Sequence, residues 1–172
     1  MLRAGTMVLL LLAAGCSVGG GASGGSANDP SGTQGGSAAA HDLRVERISS
    51  GSPGQGPESP RVIVASSPAA LSEAIGGSVP RVGKGAYLAA YWGEKPTGGY
   101  SLAVESARLE GERVAVRLAL EEPAPDAIVT QALTYPYAVA VVRGLDPGGK
   151  DLAFLDREGR ELHWPVRLVD AG

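Results

Sequence analysis

Soft metal ligands and thiols are scarce in this chain. Its 172 residues include one Cys and two His, too few to converge on a structural zinc site or an iron–sulfur cluster, or to form a Cys/His catalytic pair. Aromatic side chains make up only 5% of the sequence, while Gly numbers 26 and Pro 12. That balance disfavours a helical bundle and points to a turn-rich chain built from strands. Basic residues do not dominate either: 15 Lys and Arg stand against 18 Asp and Glu, a formal net charge of -3, which argues against electrostatic capture of nucleic acid. What is present is 44% hydrophobic and 19% charged, apolar enough for one core and too apolar for disorder throughout.

At the N-terminus Arg3 precedes an apolar run, Met7 to Ala14, that ends in small residues, the pattern of an export signal. The run is less than half of the roughly 20 apolar residues that span a bilayer core. It leads into Leu12-Ala13-Ala14-Gly15-Cys16, which resembles the lipobox of bacterial lipoproteins. The family's common Leu, three places before the Cys, is replaced by Ala13, with Leu12 one place earlier. The resemblance implies that residues 1–15 are a signal peptide and that Cys16 carries a lipid. Ser17 to Ala40 is mostly Gly, Ser and Ala with Asp29 as its single charge, a composition that cannot bury enough apolar surface to offset ordering. With Cys16 it forms a flexible linker, residues 16–40, of about 25–30 Å root-mean-square reach. Losing Arg3 with the signal leaves 14 basic against 18 acidic side chains, a formal -4. The expected membrane contact is therefore the lipid itself, not attraction to anionic headgroups. The expected location is the cell envelope, on its periplasmic or cell-surface face.

From His41 the pattern changes to period-2 alternation, and residues 41–172 are expected to form a single β-rich domain. Val114, Val116, Leu118 and Leu120 share one face of a strand, with Ala115, Arg117, Ala119 and Glu121 on the other. Before them Tyr100, Leu102 and Val104 alternate with Ser101, Ala103 and Glu105, and Glu110-Gly111 sits where a tight hairpin needs positive φ. Further strands are predicted over Leu43 to Ile48, Arg61 to Ala65, Ala86 to Trp92, Tyr137 to Arg143, Leu152 to Leu155 and Leu162 to Val169, and a mobile loop over Ser49 to Pro60. One short helix is predicted over residues 68–75, capped by Ser67, begun by Pro68 and stopped by Gly76-Gly77, with Leu71 and Ile75 turned to the sheet. The expected class is all-β, a small β-sandwich or partly closed barrel with that one helix.

The most distinctive stretch is Trp92-Gly93-Glu94-Lys95-Pro96-Thr97-Gly98-Gly99-Tyr100-Ser101 between two strands, followed by the hairpin, an acidic Pro-containing loop at Glu121 to Pro125, and Thr134-Tyr135-Pro136-Tyr137. Pro96 fixes one φ and Gly98-Gly99 open conformations closed to other residues, so the loop is shaped, and a shaped loop loses less entropy on binding. Over residues 86–143 this series resembles the PrcB C-terminal domain, named for a subunit of a bacterial surface protease complex that binds the protease and stabilises it. The resemblance implies a non-catalytic domain engaging an exported protease or another envelope protein. Pro96, Thr97, Gly99 and Tyr100 are also similar to the N-P-T-T-G-Y/F loop of chagasin-type inhibitors of papain-like proteases, with Lys95 and Gly98 as departures and the family's other cleft-contacting loops unrecognisable.

The partner-binding candidates are accordingly Lys95, Pro96, Thr97, Gly98, Gly99, Tyr100, Tyr135 and Tyr137, with Lys95 and Thr97 favoured as contacts. Tyr100 begins an apolar face and reads as a core or rim aromatic more than as a contact, and Trp92 reads as a cap on the sandwich. If strand 137–143 neighbours strand 86–92, Tyr135 and Tyr137 fall at the end that carries the Lys95 loop. No catalytic residue, metal ligand or cofactor is expected. His163 and Asp156 lack any nucleophile elbow, and Glu121, Glu122 and Asp126 lack the spacing of a calcium loop. Three functions stay open: a protease-stabilising subunit, a chagasin-like inhibitor, and a purely structural envelope lipoprotein.

Overall fold

The computed structural model describes residues 40–170. The expected signal peptide, Cys16 and nearly all of the expected linker lie outside the described residues. Nine strands form two open sheets. The first sheet takes β1 (His41–Leu43), β5 (Ser101–Glu110), β6 (Arg113–Glu121) and β8 (Asp151–Leu155) in that spatial order. The second takes β2 (Val45–Gly51), β7 (Tyr137–Arg143), β4 (Gly85–Tyr91), β3 (Arg61–Ala65) and β9 (Val166–Val169). Neighbours are antiparallel except β6 with β8 and β3 with β9, which run parallel. Of the two architectures expected, the protein is a sandwich; neither sheet closes into a barrel.

Alternation along each strand builds the interior. Leu102 and Val104 of β5 and Val114, Val116 and Leu118 of β6 meet Ala86, Leu88 and Ala90 of β4 and Ala138, Ala140 and Val142 of β7 between the sheets. The opposite face of the second sheet, with Ile63, Tyr87, Ala89, Val139 and Val141, is covered by α1 (Pro68–Ile75) and Val79. Central strands β4 and β7 are thus buried on both faces, which is why they read as near-continuous apolar runs. Tyr87 lies 1% exposed, and its hydroxyl is satisfied by donating to Gly83 O at 2.7 Å and accepting from Val82 N and Gly83 N. Helix α1 spans the expected residues. Ser67 Oγ accepts from Ala70 N at 3.1 Å, Pro68 opens the first turn and Gly76 ends it in the left-handed region. Leu71 is fully buried.

Three expectations are corrected. The strand expected over Leu43 to Ile48 is two strands, because the chain crosses from one sheet to the other at Arg44. The strand expected over Leu162 to Val169 is confined to Val166–Val169. Leu162 N donates to Phe154 O in the first sheet and Trp164 N turns back to Leu162 O, so the chain is still in transit until Pro165. The stretch Ser49 to Pro60 is not a free loop. Ser49–Gly51 complete β2 against β7, and the remainder is pinned: Ser52 Oγ donates to Tyr100 O at 2.7 Å, Pro53 O accepts from Tyr135 N and Glu58 O from Glu94 N, both at 2.9 Å. Gly, Ser and Pro make poor strands but leave carbonyls free, and neighbouring loops take them up. The β5–β6 hairpin forms as expected, with Gly111 at φ 65° in a two-residue turn. A bulge at Glu105 shifts the inward positions of β5 from Leu102 and Val104 to Ala107 and Leu109.

Candidate functional site

One end of the sandwich gathers three connections: Trp92 to Tyr100 between β4 and β5, Glu122 to Pro136 between β6 and β7, and Ser52 to Pro60 between β2 and β3. The first two are stitched together. Lys95 N donates to Thr134 O at 2.8 Å and Thr134 N to Lys95 O at 2.9 Å, a lone antiparallel bridge. Thr134 Oγ1 donates to Thr97 O at 2.7 Å, and Gly98 N to Thr130 O at 2.9 Å. The third connection is joined through the Pro53 and Glu58 carbonyls and through Gly56, which lies flat against Tyr135; a Cβ at Gly56 would stand 2.6 Å from Tyr135 Cβ.

Within the Trp92 to Tyr100 connection, close approach also demands Gly93 and Gly99. Gly93, at φ +82°, would place a Cβ 2.7 Å from Glu58 O. Gly99, at φ +88°, would place one 2.8 Å from Pro123 Cβ and 2.9 Å from Val129 Cγ1. Gly98 has no such requirement, since its nearest neighbour would be Thr130 Cβ at 3.5 Å. The Gly-Gly pair is therefore asymmetric: Gly99 shapes the loop and Gly98 supplies a backbone donor.

Beneath the loop lies an aromatic cation cluster. Trp92, 9% exposed, meets Tyr100 edge to face at 5.6 Å between ring centroids. The Lys95 ammonium sits 4.3 Å from the Trp92 ring and 5.7 Å from Tyr100, within cation–π range of both. Burial holds the Lys95 pKa below the ordinary lysine value, with Glu122 opposing the shift. Tyr135 turns to the other side of the loop. Its hydroxyl donates to Glu94 Oε2 at 2.7 Å, and this bond raises its pKa.

The expected contact residues are thus brought together in part. Lys95, Pro96, Thr97, Gly98, Gly99, Tyr100 and Tyr135 share this end. Tyr137 does not: although β7 does neighbour β4, its ring packs on Tyr91 at 6.3 Å on the helix side of the second sheet. Lys95, Thr97 and Tyr100 hold the loop from beneath, whereas Pro96 and Gly99 are exposed. Two exposed apolar residues on the Glu122 to Pro136 connection went unnoticed in the sequence: Ile128, with relative exposure of 105%, and Leu133, at 50%. Short apolar runs, Ala127 to Val129 and Ala132-Leu133, in a Pro-containing loop with no strand alternation were the available signal.

Two of the residues weighed for catalysis or calcium binding, Asp156 and Glu121, are committed to other side chains. Asp156 accepts from Arg160 N at 2.8 Å and Arg160 Nε at 2.7 Å, closing the turn after β8. Burial pushes the Asp156 carboxyl up, but the Arg160 backbone and guanidinium together outweigh it and hold the pKa below the usual value. Glu121 is also held low, by the Ser101 hydroxyl and then by Arg157. Among the described residues no three His, Cys, Asp or Glu side chains converge to hold a metal ion, and no helix is long and apolar enough to cross a membrane.

Fold and site together describe a two-sheet sandwich that presents a braced, Gly-shaped loop at one end. Residues 86–143, from the start of β4 to the end of β7, match the family described as PrcB C-terminal. That segment contains the Lys95 to Tyr100 loop, the aromatic cluster and the connection that carries Ile128 and Leu133. No curated protein and no solved structure matches the chain.

Proposed function

We propose that this protein is a lipid-anchored, non-catalytic subunit of the cell envelope that binds an exported protease and stabilises it. The observation that carries the reading is the end of the sandwich inside the PrcB-like segment. There a loop held by backbone bonds and an aromatic cluster stands beside exposed Pro96, Ile128 and Leu133. Such an end is ordered before any partner arrives and leaves apolar side chains for one to cover, the combination that favours tight protein contacts. Cys16 is the lipid attachment point in this reading, and the linker gives the domain reach from the membrane.

The test is affinity capture from detergent-solubilised envelope with the full chain, compared with an Ile128→Asp/Leu133→Asp variant whose changes lie outside the core. Recovery of an exported protease with the parent and its loss with the variant is expected, together with a longer protease lifetime at unchanged turnover. A fall in turnover in proportion to occupancy would instead identify an inhibitor. Protease recovery indifferent to both substitutions would remove the loop end from the interface. Incorporation of labelled fatty acid, expected in the parent and abolished in Cys16→Ser, tests the anchor separately.

A further inference from the structure

A second surface lies along β9 and is independent of the loop end. β9 is the outermost strand of its sheet, paired only with β3 among the described strands. Val62 N donates to Pro165 O at 2.9 Å. Since backbone groups of successive strand residues point to alternate edges, Arg167 and Val169 also bond toward β3, while Val166 and Leu168 direct their N–H and C=O groups outward. The same two residues have exposed side chains, 40% for Val166 and 50% for Leu168. Proteins ordinarily blunt such an edge with charge, proline, a bulge or a very short strand. β9 is short and carries one charge, Arg167, but Pro165 precedes the strand and no proline or bulge interrupts it, so its outward backbone groups stay available.

Beside this edge runs an open groove of about 610 Å³ between β9, α1 and the Gln55–Pro57 segment. Its floor is Ile63, Tyr91 and Ile75, and its charged lining residues are Arg61 and Arg167, with no carboxylate among them. The Arg61 guanidinium stands 6.0 Å from the Tyr91 ring centroid, and neither arginine takes part in the ion pairs formed across the described residues. In a chain of net negative charge, two arginines facing an apolar floor with no acid between them form a local cationic site that selects for a carboxylate.

We propose that β9 accepts an extended, acidic segment of a partner protein as a tenth strand. The added strand pairs with the outward backbone groups of Val166 and Leu168 and covers their side chains, and an acidic side chain of the segment enters the groove between Arg61 and Arg167. Strand addition supplies affinity through the backbone, and the arginines supply the choice of sequence.

The test uses the full chain, isotopically labelled, titrated by NMR with a capped peptide of alternating Val and Glu and with its Val/Gln and Val/Lys counterparts. The Val/Glu peptide is expected to shift the amides of Val166 to Val169 and to bind about tenfold more tightly than Val/Gln, the worth of one charge-assisted contact. Arg61→Gln/Arg167→Gln should abolish that preference. Leu168→Pro removes only an outward N–H, so the domain should stay folded, with its pairing to β3 intact, while binding disappears. Equal binding of the Glu and Gln peptides, or Val/Glu binding that survives Leu168→Pro in the folded variant, overturns the proposal. So does a concentration-dependent dimer abolished by Leu168→Pro with no peptide bound, which would make the occupant a second copy of this chain.

Discussion

Replacing Gly99 by Ala asks whether the loop end is as tightly built as its geometry implies. Two costs add. At φ +88° a residue with a Cβ is strained by about 1–2 kcal/mol. The new methyl also meets Pro123 Cβ at 2.8 Å and Val129 Cγ1 at 2.9 Å, and relieving such overpacking costs about 1–3 kcal/mol. Together they predict a loss of about 2–5 kcal/mol, or roughly 6–15 °C in melting temperature for a domain of this size. Gly98→Ala is the internal control. It keeps the N–H bonded to Thr130 O and meets its nearest atom at an ordinary 3.5 Å, so its cost should stay under about 0.5 kcal/mol. Thermal unfolding followed by circular dichroism separates the two. The reasoning fails if Gly99→Ala melts beside the parent, or if the two substitutions cost the same.

Other parts of the structure carry their own expected outcomes. Leu71→Ala, at the fully buried position of α1, should lose about 2–4 kcal/mol in urea unfolding. Lys95→Met, which removes the ammonium over Trp92, should cost about 0.5–1 kcal/mol and alter Trp fluorescence, with the fold retained. The hydrogen bond from Tyr135 to Glu94 favours the protonated phenol. Its stabilisation is therefore present below the ordinary tyrosine pKa and lost as pH rises through the raised one, and in Glu94→Gln a tyrosinate absorbance titration should move that group back down. Asp156 works in the opposite sense. Its carboxylate contributes above the ordinary aspartate pKa and loses that contribution as pH falls through the depressed value, so the stability gap between parent and Asp156→Asn should close on acidification.

Features written in local chemistry were legible in the sequence. Ser67, Pro68 and Gly76 mark the ends of α1 because capping acts within one turn, and β3 and β7 occupy the residues that their apolar runs predict. Features decided by distant neighbours were not. Nothing around Arg44 announces a change of sheet, and the bulge at Glu105 is visible only once β6 is laid beside β5. Pro165 did signal a break inside the Leu162 to Val169 run, yet apolar alternation carried the expected strand across it. At the loop end the shape-setting residues were recognisable, but their division of labour was not. Lys95 looked like a contact because lysines are usually solvated; its place between Trp92 and Tyr100 depends on a fold that brings position 92 under position 100.

The parallel pairing of β9 with β3 joins Val62 to Val166, residues separated by more than half of the chain. Closing so long a loop costs entropy before any contact offsets it, so this pairing is expected late in folding. Until the last strand docks, β3 has its outer edge open, and the chain is not committed to its native sheet. Under the export proposed above, that delay would hold the final interlock back until β9 itself had reached the far side.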